Sequence, residues 1–456
     1  MKLTFHGAAR QVTGSMYRLT LDSGYSILID CGLNYEKDVA REDNANFPFD
    51  PEDIDLVLLT HAHVDHSGNL PTLFSQGYEG KILCTEPTLA LSDILLSDAA
   101  NIEADRVNKK RKRKLPTRRL YGHKQVMDVV DSMVTVEFNK PFEVNDQVTV
   151  EFLPAGHILG ASSLCLAITE KGKTKRLGFT GDLGKSNAKI VVAPEPMKEL
   201  DYLVMEGTYG ARLHKETRSP EETLWDYVQK TCIDQAGRLL IPAFSVGRTQ
   251  SILFTLNKLF REHGVDDVRV FTDSPLGITS GNIHEEYTSF LNSEARNFVN
   301  EYKDLFRFKQ LYVVEDREDE AFMNANYRSS IIVSSAGMMN GGRIQRHVAN
   351  NIENPHCTIL IAGYCTPGTL GAELLEGKKT IRIKKFDRHV YARIASTDVF
   401  SAHPDQNELK TYFQRVHNAS SLKSVFLSHG EGEGLDQLKE VLSVDFQRIE
   451  VPKAGQ

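Results

Sequence analysis

The chain has 456 residues and a formal net charge of −7, with 41% hydrophobic and 25% charged residues. This composition is typical of a folded protein with two or three domains, and the acidic balance excludes a globally basic nucleic-acid-binding protein while leaving room for a local basic groove. The sequence shows neither a signal-peptide pattern nor a run of about 18 apolar residues, so we expect a cytoplasmic protein without membrane spans. Six scattered cysteines without a CxxC pair predict reduced, mostly buried thiols.

The first 205 residues predict a strand-rich domain. Short apolar segments are separated by turn residues, which is typical of strands and hairpins. The predicted strands fall at residues 3–5, 15–21, 25–30, 148–153, 163–169 and 176–180. Helical segments intervene near residues 70–76 and 87–107. This order favours sheets packed face to face with helices on the outside.

From Ser219 the pattern changes to alternating helices and strands. Ser219-Pro220-Glu221-Glu222 forms a capping box with proline at the first helical position, and it predicts a helix to about Asp234. The alternation then continues with strands at 238–244, 268–272, 330–334 and 357–363 and helices at 248–262 and 343–351. Such alternation predicts a parallel α/β domain.

After about Ala395 short strands return, including one at residues 425–428. We therefore predict one domain over residues 1–205 and 396–456, interrupted by an inserted domain over residues 206–395.

The segment His61-Ala62-His63-Val64-Asp65-His66 follows a strand-like apolar run directly. Three imidazoles and one carboxylate in one turn suit zinc, and histidines this dense are rare in a plain surface turn. Three further residues stand in turns after predicted strands, and each alone is more often structural. Together the candidates outnumber the ligands of one tetrahedral zinc, and they suit two metals that share a carboxylate and a water. The candidate ligands are His61, His63, Asp65, His66, His157, Asp182 and His429.

Other motifs follow in a characteristic order: residues 7–15, Asp30-Cys31-Gly32, 205–210, 242–248, 334–338, 363–371, 400–403 and 429–431. With the ligand candidates they resemble the metallo-β-lactamase fold and, more narrowly, its β-CASP branch of nucleases. This is the group of the pre-mRNA cleavage and polyadenylation nuclease and its bacterial and archaeal relatives. One departure is Gly207, which stands where the acidic motif usually has serine. The resemblance implies an α/β fold, a metallo-β-lactamase αββα sandwich with an inserted parallel α/β β-CASP domain.

The resemblance also implies two zinc ions per chain. His61, His63 and His157 are expected to hold one ion, and Asp182 is expected to bridge the pair. The other ion falls to Asp65, His66 and His429. Asp30 is expected to accept a hydrogen bond from a ligand imidazole and fix its tautomer, although Asp-x-Gly is also a common turn.

The implied reaction is hydrolysis of phosphodiester bonds in single-stranded RNA. Two metals lower the pKa of a shared water towards about 7, and the hydroxide attacks phosphorus. His403 is the expected general acid and Glu206 the residue that orients it, with Asp65 and Asp182 completing the catalytic set. An endonuclease is favoured because no long C-terminal extension follows, and 5′-exonuclease activity is compatible with it.

Substrate contacts are expected from the inserted domain, with plain turn structure as an equal alternative at each position. A guanidinium at a helix start and a serine- and glycine-rich strand end both suit phosphate. The candidates are Arg248, Ser334, Ser335, Gly337 and Arg343. The basic run Lys109 to Lys114 is either a further RNA contact or a solvated helix face.

Three alternatives stay open at this point. They are a noncatalytic RNA-processing scaffold, a hydrolase of thioesters or lactams on the same fold, and a nuclease that cuts DNA. The retained ligand set argues against the first alternative, and the insert with His403 argues against the second. The resemblance also favours a homodimer. Neither the RNA target nor the balance of endonuclease and exonuclease activity can be read from the sequence.

Overall fold

The computed structural model describes residues 1–36, 39–215, 217–325 and 329–456. It divides into two compact units: the first holds Met1–Leu213 and His403–Gln456, and the second holds His214–Ala402. Glu206 and His403 therefore both belong to the first unit. Within the described residues, no helix is both long and apolar enough to span a membrane.

The first unit opens with a six-stranded sheet whose strand order follows the chain. The first three strands pair antiparallel and the rest pair parallel. The strands are β1 Lys2–Phe5, β2 Tyr17–Thr20, β3 Ser26–Ile29, β4 Leu56–Leu58, β5 Lys81–Thr85 and β6 Met133–Val136, and the helices are α1 Val64–Ser67, α2 Leu70–Ser75, α3 Glu86–Lys112 and α4 His123–Asp131.

Helix α3 is longer than predicted. The Thr85 hydroxyl caps the first turn by accepting from the Thr88 amide. The hydroxyls of Thr85 and Thr88 both donate to the carbonyl of Gly160, at 2.7 and 3.0 Å. The helix runs for 27 residues instead of ending near Val107, so the basic run forms its last turn and the residues just beyond. Cations in the last turn favour this continuation because they face the negative end of the helix dipole.

A second sheet packs on the first. Its opening strands are β7 Phe142–Asn145, β8 Val148–Pro154, β9 Ser162–Glu170, β10 Lys173–Phe179 and β11 Tyr202–Glu206. The core between the sheets includes Ile27 and Ile29 of β3 with Phe152 and Phe179 of the second sheet, whereas Leu28 faces the helices instead. This alternation is the period of two expected for a strand buried on both faces.

The second unit is built on a six-stranded, wholly parallel sheet with strand order β14-β13-β15-β12-β16-β19. Its elements are α5 Pro220–Val228, β12 Arg238–Pro242, α6 Arg248–His263, β13 Arg269–Asp273, α7 Pro275–Glu286, α8 Ser293–Tyr302, β14 Leu311–Val313, α9 Arg317–Ala325, β15 Ser330–Ser334, α10 Ile344–Asn351, β16 Cys357–Ile361, α11 Leu370–Leu375, the hairpin β17 Thr380–Ile383 with β18 Phe386–His389, and β19 Arg393–Ser396.

The helix predicted from Ser219 has the expected capping box and proline start. Its α-helical part ends at Val228, however, and a π-helical turn, Gln229–Ile233, completes the span to Asp234. The helical segment therefore reaches its predicted end, but its backbone hydrogen bonds change from the α to the π pattern after Val228. This parallel sheet with its helices confirms the predicted α/β architecture of the insert.

The chain then returns to the first unit with α12 Gln406–Asn418, β20 Ser424–Ser428, α13 Gly432–Leu442 and β21 Ile449–Glu450. Strand β20 pairs parallel with β11 inside the second sheet. Leu409 and Phe413 of α12 and Leu435 of α13 cover the outer face of that sheet. Helices on both outer faces confirm the predicted αββα sandwich.

A buried carboxylate, Glu103, holds the far half of α3 in place. Arg106 donates to it from Nε and Nη2 at 2.9 and 2.7 Å, and Arg41 Nε donates at 3.2 Å. The backbone amide of Leu120 adds a bond of 3.0 Å, so the segment after α3 is tied back to the helix. Glu103 is fully buried, and these donors compensate for its loss of hydration.

We predict that Glu103→Ala lowers the free energy of unfolding by about 3 kcal/mol, because it leaves guanidinium groups without their buried partner. The exposed carboxylate Glu137 supplies a matched control, and Glu137→Ala should change stability by less than about 0.5 kcal/mol. Denaturant unfolding followed by circular dichroism measures both, since the single tryptophan, Trp225, reports on the second unit. Equal stability of the two variants would contradict the role given to Glu103.

Candidate metal centre

Seven side chains converge in the first unit, where several strands of the two sheets end. The segment after β4 carries His61 and His63 into α1, which carries Asp65 and His66. The other three side chains follow β8, β10 and β20: His157, Asp182 and His429. Strands from distant parts of the chain thus place all seven predicted ligands together.

The seven residues form two groups that share Asp182. In each group the atoms that could ligate a metal lie within 4.8 Å of one another. One group is His61, His63, His157 and Asp182, and the other is Asp65, His66, Asp182 and His429. Each group offers the imidazole nitrogens and carboxylate oxygens that a divalent transition metal prefers.

Ring nitrogens face each other inside both groups. Nε2 of His157 lies 3.1 Å from Nδ1 of His63, and Nε2 of His66 lies 3.2 Å from Nε2 of His429. Two unprotonated ring nitrogens at this distance repel each other unless a proton or a cation lies between them. The paired nitrogens therefore fit a shared metal ion.

Several polar atoms of the cluster are buried without a hydrogen-bond partner among the residues that the structure describes: His61 Nε2, His157 Nδ1 and Asp182 Oδ1. Burial lowers the pKa of His61 and of His157 well below the usual value, which keeps both rings in the neutral, ligating form. Burial alone would raise the pKa of Asp182, but His429 and His66 outweigh it and hold that pKa well below its usual range. An ionised carboxylate beside the neutral rings of His61 and His157 is a donor set that suits a divalent cation.

Asp30 and Thr60 orient the ligand rings. The backbone amide and the hydroxyl of Thr60 donate to the two oxygens of Asp30, each at 2.8 Å. Oδ2 of Asp30 lies 2.7 Å from Nδ1 of His66 and accepts from it, which leaves Nε2 of that ring directed at Asp182, 3.2 Å away. Asp30 therefore selects the ring nitrogen that His66 presents to the centre.

Two glycines allow the ligand loops to approach each other. A Cβ at Gly32 would lie 1.6 Å from the carbonyl oxygen of Asp65, and one at Gly184 would lie 1.8 Å from that of Gly156. No side chain fits in either position. These contacts explain why a glycine stands two residues after Asp30 and another two residues after Asp182.

Sequence reasoning missed three hydroxyl groups beside the ligands. The Thr60 hydroxyl lies 3.1 Å from His61 Nδ1, and the Thr208 hydroxyl lies 3.1 Å from His429 Nδ1. The Ser15 hydroxyl lies 3.3 Å from Nε2 of His66. All three residues stand inside or next to quoted motifs, but threonine and serine are too common for their positions alone to indicate this role.

Glu206 and His403 lie beside the shared carboxylate. Nδ1 of His403 is 3.1 Å from Glu206 Oε2, and its Nε2 is 4.0 Å from Asp182 Oδ2. The amides of Leu183 and Thr208 donate to Glu206, which is buried, whereas 19% of the His403 side chain is exposed. Burial lowers the pKa of His403, but the Glu206 carboxylate outweighs it and raises that pKa to about 9.

Comparison with known families accounts for almost the whole chain. Residues 9–226 match the metallo-beta-lactamase superfamily, residues 249–374 the Beta-Casp domain, and residues 387–452 the Zn-dependent metallo-hydrolase RNA specificity domain. Ribonuclease TTHA0252 of Thermus thermophilus is 30% identical over 456 residues, which cover 100% of this chain and 99% of that protein. The chain belongs to the β-CASP branch of the metallo-β-lactamase superfamily.

Two archaeal relatives from Methanocaldococcus jannaschii agree with this assignment. An RNase J-like protein is 28% identical over 433 residues, with 94% of this chain and 92% of that protein covered. A transcription termination factor, FttA, is 29% identical over 450 residues, with 94% of this chain and 67% of that protein covered. This β-CASP protein is accordingly an RNA-processing, metal-dependent hydrolase with a divalent metal site.

The β-CASP insert places the predicted substrate residues at the carboxyl ends of its parallel strands. Ser334 is buried and its hydroxyl donates to the Asp273 carbonyl at 2.9 Å, so this hydroxyl is engaged inside the second unit. Arg343 donates to the Asp273 carboxylate at 2.6 Å. His347, which the sequence did not single out, contacts the other oxygen of the same carboxylate at 2.7 Å. These contacts make Asp273 the centre of a buried polar cluster.

The remaining candidates follow the ends of β12 and β15. The Ser335 hydroxyl is 3.2 Å from that of Ser274, and Gly337 lies against the ring of Phe244. The guanidinium of Arg248 lies over the same ring, 4.9 Å from its centroid, and donates to the Phe400 carbonyl at 3.3 Å. Parallel sheets commonly bind ligands outside the carboxyl ends of their strands, where these groups lie.

We predict that zinc raises the midpoint of thermal unfolding, because the buried ligand atoms gain a partner only when metal is bound. At a free concentration 100 times its dissociation constant, a metal adds about 2.7 kcal/mol per site. Asp182→Asn should remove most of the increase, while the exposed control Asp146→Asn should retain it. Differential scanning calorimetry with and without a chelator measures the effect. An unchanged zinc response in Asp182→Asn would rule out the shared carboxylate.

Proposed function

We propose that this protein is a zinc-dependent ribonuclease that hydrolyses phosphodiester bonds inside single-stranded RNA. The observation that carries the proposal is the position of the Glu206–His403 pair beside two ligand groups that share Asp182. Relatives named as ribonucleases and the match to an RNA specificity domain support RNA as the substrate.

The donor set supports zinc as the metal and two ions as the count. His61, His63 and His157 would hold one ion, with Asp182 shared between the two. The second ion would fall to Asp65, His66 and His429. Two zinc ions, when bound, would supply a water of lowered pKa and positive charge beside the scissile phosphate.

The chain's own residues then supply orientation and a proton. Glu206 accepts from Nδ1 of His403, so Nε2 of that ring faces the centre with its proton available for the departing oxygen. The amides of Leu183 and Thr208 hold the Glu206 carboxylate in one rotamer. The exposed fraction of His403 gives this ring access to a substrate that its buried partner lacks.

Phosphate contacts are proposed for the second unit. Arg248 begins α6 and carries a permanent charge, and the segment from Ser335 to Gly337 turns directly after β15. Ser334 and Arg343 would support this surface through Asp273, because both donate to that residue. We also propose that 5′-exonuclease activity accompanies internal cutting.

We predict that His403→Ala lowers the cleavage rate by about 10²- to 10⁴-fold, because the leaving oxygen loses its proton donor. Glu206→Gln should lower it less, since the ring remains but is no longer held by a carboxylate. The zinc content measured by mass spectrometry should stay at the wild-type value in both variants. His123→Ala changes an exposed histidine of α4 and serves as the matched control. Equal cutting by His403→Ala and wild type would overturn the general-acid assignment.

Product mapping separates the proposed activity from its alternatives. On 5′-end-labelled single-stranded RNA, we expect labelled fragments of many lengths, because each cut at an internal bond leaves a labelled product of its own length. Release of labelled mononucleotides alone would replace the endonuclease with a 5′-exonuclease. DNA of equal sequence serves as the comparison, and faster cutting of DNA than of RNA would identify DNA as the substrate instead. A zinc-loaded protein that cuts neither polymer would favour the scaffold role.

A further inference from the structure

The far end of α3 carries a dense group of positive charges. Each of these side chains is exposed, and no carboxylate among the described residues lies within ion-pair distance of any of them. We call this group the α3 cationic cap: Lys109, Arg111, Lys112, Arg113, Lys114 and Arg118. It stands out in a chain whose formal net charge is −7.

The helix end alone does not explain the cap. Cations in the last helical turn are stabilised by the helix dipole, but this effect fades beyond the turn, whereas Lys114 and Arg118 lie after the helix. Like charges three and four residues apart, such as Lys109 and Arg113, also repel each other. A block of six like charges is therefore a cost to the folded protein in the absence of a polyanion.

A buried network fixes the segment that carries the cap. Arg106 binds Glu103 and also donates to the Arg118 carbonyl at 2.7 Å, while the amide of Leu120 donates to Glu103. Lys110, the one paired lysine of the basic run, contacts Glu42 at 2.6 Å. The charges are thus held on an ordered backbone, so binding them costs less conformational entropy than binding a disordered tail.

The cap lies far from the metal centre along the helix. The first turn of α3 contacts Gly160, in the loop that carries His157. With 27 residues, the helix extends about 40 Å from that loop to the cap. A stacked strand with about 3.4 Å per nucleotide covers this distance in about a dozen nucleotides.

We propose that the α3 cationic cap binds the sugar-phosphate backbone of single-stranded RNA at a distance from the cleaved bond. The proposal rests on the ribonuclease function proposed above and adds a length preference to it. RNA long enough to reach both places gains affinity from the cap, and a short oligonucleotide in the metal centre does not. An anionic membrane fits less well, because Leu91, Leu96 and Val107 of α3 are buried in the fold, which leaves single exposed apolar side chains such as Ile102 and Leu115 instead of a continuous apolar face.

The test replaces four cap residues by glutamine: Lys109→Gln, Arg111→Gln, Lys112→Gln and Lys114→Gln. A control variant with the same net charge replaces four exposed lysines elsewhere: Lys140, Lys171, Lys230 and Lys309. All proteins carry His403→Ala and bound zinc so that cutting does not interfere, and binding of a fluorescent RNA of about 30 nucleotides and of a hexamer is measured by anisotropy. Circular dichroism melting confirms that both variants fold.

We expect the cap variant to bind the long RNA about tenfold more weakly than wild type, with unchanged affinity for the hexamer. Its plot of log affinity against log salt should be less steep by about 3, since each lost phosphate contact removes about 0.7. The control variant should match wild type. Unchanged affinity and salt slope in the cap variant, or an equal loss in the control, would overturn the proposal.

Two further measurements keep the outcomes separate. Cleavage of the hexamer by zinc-loaded wild type tests the ribonuclease function without involving the cap, so its failure leaves the binding result readable. Vesicles rich in phosphatidylserine test the membrane alternative. Loss of vesicle binding in the cap variant with full retention of RNA binding would replace RNA by a membrane as the partner.

Discussion

The carboxylate of Asp182 is the point on which the first unit depends. It is buried and ionised, and it lies within 4 Å of ring nitrogens from His61, His66 and His429. A buried charge of this kind is tolerated only when partners surround it closely. The two sheets meet this condition by ending their strands at one place, so that segments far apart in sequence deliver their imidazoles to the same carboxylate. The two-sheet sandwich thus provides the backbone positions from which these imidazoles surround the buried carboxylate of Asp182.

The supporting contacts show how precision is obtained from ordinary residues. Asp30 accepts two short hydrogen bonds from Thr60 and one from the ring of His66, and Gly32 lets the segment that follows Asp30 lie against the backbone of Asp65. These groups touch ligands without supplying an atom to either ligand group. Because imidazole and carboxylate orientation decides which lone pair faces a metal, such contacts tune affinity as much as the ligands themselves. The pair formed by Glu206 and His403 follows the same logic, with a buried carboxylate orienting a partly exposed ring.

The sequence was most informative where residue types are rare and their order is fixed. The histidine-rich segment stood out because histidines this dense are rare, whereas His157 and Asp182 became informative only together with it. The order of strands and helices indicated sheets with outer helices and a parallel insert, and the resemblance of the motifs specified the αββα sandwich. Hydroxyl groups such as Thr208 could not be found in this way, since their role depends on a neighbour more than two hundred residues away. Ser334 and Ser335 are adjacent, yet only the structure shows that the first is turned inward. Likewise, Glu103 of α3 accepts from Arg41 and from the amide of Leu120, and these are tertiary contacts that no local pattern contains.

The pairing of β20 with β11 also bears on how the protein is made. When Glu206 leaves the ribosome, β11 has its β10 neighbour but its other edge stays open until β20 is synthesised about two hundred residues later. At roughly 5–20 residues per second, this wait lasts on the order of 10 to 40 seconds. During that time the nascent sandwich presents an open strand edge and an incomplete set of metal ligands, because His429 follows β20. Chain order thus leaves this edge open to pairing with other chains while β20 is missing, and it completes the ligand group of His61, His63, His157 and Asp182 well before the group that contains His429.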